Sequence, residues 1–113
     1  RWEKVAMNIT FTEFKKIDIR IGEVLIVERV EDADNLLKLE VDFGEFKRQV
    51  VSGIAKWYEP ESLVGKKLPF IVNLEPRNFK GVESQGMLMA VDGENGPVFL
   101  EPSGEVKVGD KVI

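Results

Sequence analysis

The chain has 113 residues, 43% of them hydrophobic, which is enough for one modest core and too little for two domains. It contains no cysteine and no histidine, so disulfides and cysteine-based zinc sites are excluded, and the usual general base and commonest metal ligand are missing. Its 16 Lys and Arg against 20 Asp and Glu give a net charge of −4, so any phosphate-binding surface must be local. We therefore expect a protein that is not an enzyme and has no metal or cofactor.

The N-terminal segment is polar and lacks the apolar centre and cleavage site of a signal peptide. No stretch of the chain approaches the ~20 apolar residues of a membrane helix. We predict that residues 1–10 form a linker or tail, that residues 11–113 form one domain, and that the protein is cytoplasmic. Thr10 followed by Glu13 is typical of a capping box, which predicts a helical turn over residues 11–16.

Alternation of apolar and polar residues predicts the first two strands. The first strand starts at Ile17, and its alternation blurs after Gly22, which indicates a bend or bulge in a long strand. An interruption at residues 31–35 follows. The second strand, over residues 37–43, has the clearest alternation, and the third is predicted over residues 46–51.

The second half of the chain is predicted to hold a short helix and two further strands. Pro60 suits the first helical position and Gly65 suits the stop, which predicts a helix over residues 59–65. The fourth strand is predicted over residues 68–74, and the fifth over residues 87–91. A loop at 75–85 separates them, and a turn at 92–97 leads to a C-terminal β extension.

This order, an all-β chain of five strands with one short helix between the third and fourth, matches a five-stranded barrel of the oligonucleotide-binding (OB) type. Such barrels usually bind through the faces of strands two and three. The loops joining strands one to two and four to five are the other usual binding surfaces. Residues 31–35 and 75–85 are therefore the first places to look for a site.

Four short motifs lie in or near these segments. They are Asp18-x-Arg20-x-Gly22, Asp32-Ala33-Asp34-x-Leu36, Val50-Val51-Ser52-Gly53-Ile54-Ala55, and a block with Asn73-Leu74-x-Pro76, Gly81 and Ser84-Gln85-Gly86-Met87. In this order they resemble the tRNA-binding domain family. Members occur at the C-terminus or as the beta subunit of methionyl-tRNA synthetase, as a structure-specific tRNA-binding protein, and in endothelial monocyte-activating polypeptide II.

The resemblance implies a non-catalytic OB module that recognises folded tRNA by shape and backbone. It serves aminoacylation, and so protein biosynthesis, by raising the tRNA concentration near a synthetase chain. The resemblance also implies a homodimer formed through the segment after the fifth strand. The apolar candidates for that interface are Val98, Phe99, Leu100, Val106, Val108, Val112 and Ile113.

The residues predicted to bind tRNA, partly on the strength of this resemblance, are Asn35, Lys38, Asn73, Arg77, Lys80, Ser84 and Met87. Met87 is expected to pack against an exposed base, with core packing as the alternative. Ser84 is expected to bond a phosphate or a ribose hydroxyl. Asn73 is expected either to bond a base edge or to hold its own loop in shape.

Charged residues around the two loops set the expected strength of binding. Arg77 and Lys80 form a local basic footprint, or else a merely solvated pair. Asn35 stands where the family usually has Lys, and Glu40, beside Lys38, is another position where relatives commonly carry Lys. These departures predict a weak, salt-dependent affinity for tRNA that depends mainly on the loop at 75–85.

Other chemistry is poorly supported by the sequence. Asp32 and Asp34 lack the further oxygen ligands of a calcium loop, and Ser52 has no evident base to activate it. The alternative function is a protein-interaction module, because the fold family includes a secretion-related chaperone. That branch departs from the Ser-Gln-Gly-Met and Asn-Leu-x-Pro motifs, which this chain retains.

Overall fold

The computed structural model describes residues 7–113 and consists mainly of short antiparallel strands. The elements are α1 (Phe11–Phe14), β1 (Ile19–Val30), β2 (Ala33–Asp42), β3 (Lys47–Ser52), a 3-10 turn (Pro60–Ser62), β4 (Lys67–Ile71), β5 (Arg77–Phe79), β6 (Val82–Ser84), β7 (Met87–Leu88), β8 (Ala90–Gly93) and β9 (Gly96–Phe99). Of the predicted tail at 1–10, residues 1–6 lie outside the described residues. Residues 7–10 have no regular secondary structure.

The capping box at the start of the domain is confirmed. The Thr10 hydroxyl accepts a hydrogen bond from the Glu13 backbone N–H at 3.0 Å, and the Glu13 carboxylate accepts one from the Thr10 backbone N–H at 3.0 Å. These two bonds satisfy donors that the first turn of a helix leaves without a partner. The helix itself ends at Phe14, two residues earlier than predicted.

Five strands pair in the antiparallel order β3-β2-β1-β4-β7, which confirms the predicted all-β, OB-type fold. The twelve-residue β1 pairs with β4 through its first half and with β2 through its second half. The register shifts between Val24 and Ile26, close to the predicted bend. A Cβ on Gly22 would lie 2.5 Å from Val41 Cγ1 and 2.6 Å from Phe43 Cε1, so glycine lets β1 cross these buried side chains.

The main core lies inside this sheet. Its fully buried side chains are Phe43, Phe70, Leu37, Leu39, Leu63, Leu68, Val24, Val41 and Val50. Phe43 and Phe70 meet edge to face, with ring centroids 5.6 Å apart. Burial of each such side chain stabilises the fold by roughly 1.5–3 kcal/mol relative to exposure.

Several predicted elements are wrong in extent, among them the fourth strand, which ends at Ile71, and the fifth, which divides into β7 and β8. The helix at 59–65 is a three-residue 3-10 turn, beyond which Leu63 is buried and Gly65 adopts φ 89°. The loop at 75–85 contains a hairpin of β5 and β6, and the turn predicted at 92–97 includes paired residues of β8 and β9. Strands of three or four residues are too short to show an alternation that marks them in sequence.

The C-terminal segment returns to the start of β1. Ile21 donates its N–H to the Asp110 carbonyl at 2.8 Å, Gly109 donates to the Ile21 carbonyl at 2.7 Å, and Val112 donates to the Ile19 carbonyl at 2.9 Å. The segment thus covers the edge of β1 opposite β4. Its side chains from Leu100 onward remain partly exposed, including Leu100 at 42% and Val112 at 41%.

The Asp18-x-Arg20 motif is a structural ion pair at the start of β1. The Arg20 guanidinium donates two hydrogen bonds to the Asp18 carboxylate, both 3.0 Å long. This contact holds the pKa of Asp18 below its ordinary value. Because the folded-state pKa is lowered, the stabilisation is present above the unfolded value of about 3.9, and it is lost as the pH falls through the folded value.

We expect Asp18→Asn to lower the melting temperature at pH 7 and to have a smaller effect at pH 2, where the wild-type carboxyl is more protonated than at pH 7. Thermal unfolding followed by circular dichroism at the two pH values measures this difference. Asp92→Asn, at an exposed position of β8, is the control. An equal loss of melting temperature at both pH values would show that the charge of Asp18 does not stabilise the fold.

Candidate nucleic-acid interface

The Ser84-Gln85-Gly86 segment joins the two end strands of the sheet. Gln85 donates its backbone N–H to the Gln49 carbonyl at 2.7 Å, and the Gln85 side-chain oxygen accepts the Gln49 N–H at 3.0 Å. The Ser84 hydroxyl accepts the Val51 N–H at 2.9 Å and donates to the Gly86 carbonyl at 2.9 Å. Since this segment leads directly into β7, these bonds bridge β3 to β7 and hold the β5–β6 hairpin against the edge of β3.

A second hydrophobic cluster joins the hairpin to the start of β2. Phe79 and Val82, which are paired across the hairpin, pack on a buried cluster made of Ala33, Leu36 and Val51. The β1–β2 connection and the hairpin therefore form one continuous surface. Both segments in which the sequence placed a binding site meet there.

Two cations are exposed on the hairpin. The Arg77 guanidinium lies 4.8 Å from the centroid of the Phe79 ring, a cation–π distance that orients the side chain. Lys80 is at the hairpin tip with φ 55°, and the Asn78 side chain accepts the Gly81 N–H at 2.8 Å to close the turn. Lys80 thus projects from a turn that its own hydrogen bond holds in shape, and Arg77 projects from the strand just before that turn.

A groove of about 300 Å³ runs along the outer face of β1, β2 and β3. We call it the face groove, and its eight lining residues are Ile26, Glu28, Lys38, Leu39, Glu40, Lys47, Arg48 and Gln49. The Lys38 ammonium lies 3.2 Å from a Glu28 carboxylate oxygen. The Gln49 side chain donates to the Glu83 carbonyl at 2.8 Å, so the groove adjoins the hairpin.

Asn35 lies beside these elements near the start of β2. Its side chain is exposed, and its backbone carbonyl accepts the Ala55 N–H at 3.1 Å. This bond ties the Asp-Ala-Asp segment to the Ser-Gly-Ile-Ala segment. The structure thus brings Asn35, Lys38, Arg77 and Lys80 to the hairpin side of the domain.

The geometry of two predicted contact residues argues against direct contact with a nucleic acid. Ser84 is only 3% exposed, and its hydroxyl is engaged in the two internal hydrogen bonds described above. Asn73 accepts the Asp18 N–H at 2.8 Å and donates to the Lys16 carbonyl at 2.6 Å. Its amide therefore joins the end of β4 to the segment before β1, which is the structural alternative already considered for it.

Met87 is not a core residue. It is the Cα partner of Ile71 at the end of β4, and 42% of it is exposed, whereas the following Leu88 is 8% exposed. The alternation along β7 directs Leu88 into the core and Met87 outward. An accessible thioether at this position is able to pack against an apolar or aromatic group.

Sequence reasoning missed three residues that organise this region, Arg48, Gln49 and Gln85. Arg48 donates to the Val72 carbonyl at 3.2 Å and the Gln85 carbonyl at 3.3 Å, with its guanidinium 4.7 Å from the Phe46 ring centroid. Gln49 and Gln85 are 36 positions apart in sequence. Only the Ser-Gln-Gly-Met motif pointed toward this contact, and it gave no indication of the partner.

Within residues 7–113 no group of three or more Asp or Glu side chains is placed to hold a metal ion. In the same part of the chain, no helix is long and apolar enough to cross a membrane.

Proteins of known structure share this fold. The MetRS related protein from Pyrococcus horikoshii superposes with a TM-score of 0.89 at 42% identity, covering 95% of this chain and 99% of that one. The chaperone CsaA from Bacillus anthracis superposes with a TM-score of 0.84 at 31% identity, covering 95% of this chain and all of that one. Both likenesses extend over nearly the whole length of the chain.

Comparison of sequences identifies relatives of the same kind. The methionine–tRNA ligase of Chloroherpeton thalassium is 46% identical over 112 residues, which are 98% of this chain and 16% of that protein. The chain spans between 14% and 16% of the length of the curated relatives it matches. The family model described as "Putative tRNA binding domain" matches residues 19–111. The chain therefore belongs to this tRNA-binding domain family, whose members are accessory modules without catalytic activity of their own.

Proposed function

We propose that this chain binds folded tRNA through the surface formed by the β5–β6 hairpin and the start of β2. It acts in the cytoplasm as the C-terminal domain or beta subunit of a methionyl-tRNA synthetase, or as a free homologue. The observation that supports the proposal is the packing of Phe79 and Val82 on the cluster of Ala33, Leu36 and Val51, because it brings the two candidate segments onto one surface.

In this proposal some contacts to the tRNA are electrostatic, and others depend on the shape of the RNA. Arg77 and Lys80 meet phosphates of the tRNA backbone, and the rigid hairpin presents them at a set spacing. Asn35 offers an exposed amide to a ribose hydroxyl or a base edge, and Met87 packs on an exposed base. Lys38 contributes at the margin, because its ammonium is shared with Glu28.

The net charge of −4 limits the long-range attraction between this chain and RNA. Few phosphates are neutralised, so affinity is modest and depends on salt through those few contacts. Tethering to a synthetase chain compensates for weak affinity, because the tethered module meets the same tRNA at a high effective concentration.

Fluorescence anisotropy with a labelled, folded tRNA tests this proposal. We expect binding at 50 mM salt that weakens as salt is raised to 200 mM. An RNA of equal length without stable structure is the control, and it should bind more weakly. Absence of binding to any folded tRNA at the lower salt concentration would refute the proposal.

A protein-interaction role is the second candidate function, and the similarity to a chaperone structure favours it. This role requires an apolar surface for a polypeptide, and a groove lined by Ile21, Pro69, Leu100 and Val106 offers one. Suppression of aggregation of an unfolded test protein, combined with no binding to tRNA, would favour this candidate over tRNA binding.

We also propose that two copies associate through an apolar patch that combines the C-terminal segment with α1. Its exposed members are Phe11 at 72%, Phe14 at 40%, Ile17 at 40%, Leu100 at 42%, Val112 at 41% and Ile113 at 107%. Val112 lines both of the apolar grooves that meet there. Contiguous apolar surface of this kind marks association sites. Of the residues predicted for the interface, Phe99 is half-buried and stacks internally on Tyr58 at 4.3 Å.

We expect light scattering to give twice the chain mass of 12.8 kDa for the wild type. Leu100→Ser combined with Val112→Ser should shift the protein to a monomer, because the variant loses apolar area from the patch. Ile26→Ser, at a 51% exposed position in the face groove, is the control and should leave the dimer intact. A wild-type monomer at tens of micromolar would contradict the proposed association.

A further inference from the structure

The outer face of β1, β2 and β3 carries a carboxylate opposite each of its lysines. Glu28 and Lys38 are Cα partners and form an ion pair at 3.2 Å. Lys47 on β3 is the Cα partner of Asp42 on β2. Arg48, the remaining cation of the face groove, directs its guanidinium to the Val72 and Gln85 carbonyls. Among the described residues Lys47 forms no ion pair, so of the groove's three cations it alone stays available to a phosphate.

Glu40 lies at the centre of this face. Its Cα partners are Ile26 on β1 and Gln49 on β3, and among the described residues it has no ion-pair partner. Ile26 beside it is 51% exposed, so the surface is accessible. A phosphate lying along the groove would pass close to an uncompensated carboxylate, which repels it.

The face groove also lacks a surface on which bases stack. None of its eight described lining residues is aromatic. Surfaces that bind single strands combine a cationic track with aromatic side chains, and strands two and three of an OB fold are a usual place for them. In the described part of this chain the same place carries one ion pair, Glu28 with Lys38, a central carboxylate at Glu40, and Lys47 as a cation without an ion-pair partner.

We infer that Glu28 and Glu40 are specificity-determining residues that keep single-stranded nucleic acid off the sheet face. This inference rests on the proposed function. Glu28 occupies the ammonium of Lys38, and Glu40 repels a phosphate at the middle of the groove. A single strand meets an isolated cation, Lys47, beside a repelling carboxylate and no aromatic surface, whereas folded tRNA binds through the hairpin beside the groove.

The test compares Glu28→Gln combined with Glu40→Gln against a charge-matched control, Glu59→Gln combined with Glu94→Gln. Glu59 is paired with Arg29 at 2.8 Å, and Glu94 is exposed at the β8–β9 turn, so both variants remove one paired and one other carboxylate. Anisotropy titrations use a twelve-nucleotide polyuridine and a folded tRNA, each at several salt concentrations. Thermal melts establish that each variant is folded.

For the groove variant we expect about a tenfold gain in affinity for polyuridine, with a salt slope steeper by about 0.7 for the phosphate that Lys38 gains. Its affinity for tRNA should rise several-fold less than its affinity for polyuridine, because Lys38 contributes only marginally to tRNA binding. Glu28→Gln alone, a change at a side chain that is 60% exposed, provides a second variant and should give part of the gain.

A gain for polyuridine no larger than that of the control would overturn the inference, as would equal gains for polyuridine and tRNA. These results leave the proposed function standing if the wild type binds tRNA. Failure of the wild type to bind tRNA at low salt would instead refute the proposed function itself.

Discussion

Replacing Arg77 and Lys80 together by alanine is expected to weaken tRNA binding about 100-fold at 50 mM salt. Each side chain is taken to make one charge-assisted contact to a phosphate, and such contacts contribute roughly 1.5 kcal/mol at least. Loss of two phosphate contacts should also make the slope of log K against log salt shallower by about 1.8. Anisotropy titrations at several salt concentrations measure both quantities.

The control for this prediction is Lys56→Ala combined with Lys107→Ala, which removes the same charge from exposed positions outside the hairpin. The control should change tRNA affinity only a few-fold. Both double variants should melt close to the wild type, because Arg77 and Lys80 are exposed. Equal losses of affinity in the two variants would show that binding responds to net charge and not to the hairpin.

Ser84→Ala is expected to lower the free energy of unfolding by about 1–3 kcal/mol. The hydroxyl is the hydrogen-bond acceptor for the N–H of Val51, a residue that is only 7% exposed, and it also donates to the Gly86 carbonyl. Removing it leaves a buried donor without a partner, which costs about 1–3 kcal/mol. Urea unfolding followed by circular dichroism measures the change.

Ser103→Ala, at an exposed position of the C-terminal segment, is the matched control and should change stability by less than about 0.5 kcal/mol. Under conditions where Ser84→Ala remains folded, tRNA affinity should fall modestly, because the hairpin is less firmly held. Unchanged stability together with a large loss of affinity would instead show that Ser84 touches the RNA directly.

The sequence predicted well those elements whose signals are local. The alternation of Leu37, Leu39 and Val41 with polar residues predicts a strand with one buried face, and these three side chains are 0% exposed. Thr10 and Glu13 are three residues apart, so their capping box involves only one turn of chain. The motif resemblance carried the family assignment, because four short patterns in one order are specific even though each is weak.

The roles of individual side chains in the site depended on long-range contacts. The sequence pointed to Ser84 and Asn73 within a family motif, but the motif did not show whether they face RNA or the protein interior. Ser84 bonds to Val51, 33 positions away, and Asn73 bonds to Asp18, 55 positions away. Both partners come from strands or segments that only folding brings close.

What the sequence by itself determined was a small all-β chain, its family, and the two segments that form its candidate site. The tertiary structure decided which side chains in those segments stay accessible, because exposure depends on neighbours that are distant in sequence. It left Arg77, Lys80 and Met87 accessible, buried Ser84, and paired Lys38 with Glu28. Local patterns show which face of a strand is apolar. The packing of the hairpin on β2 and β3 determines which side chains are accessible to RNA.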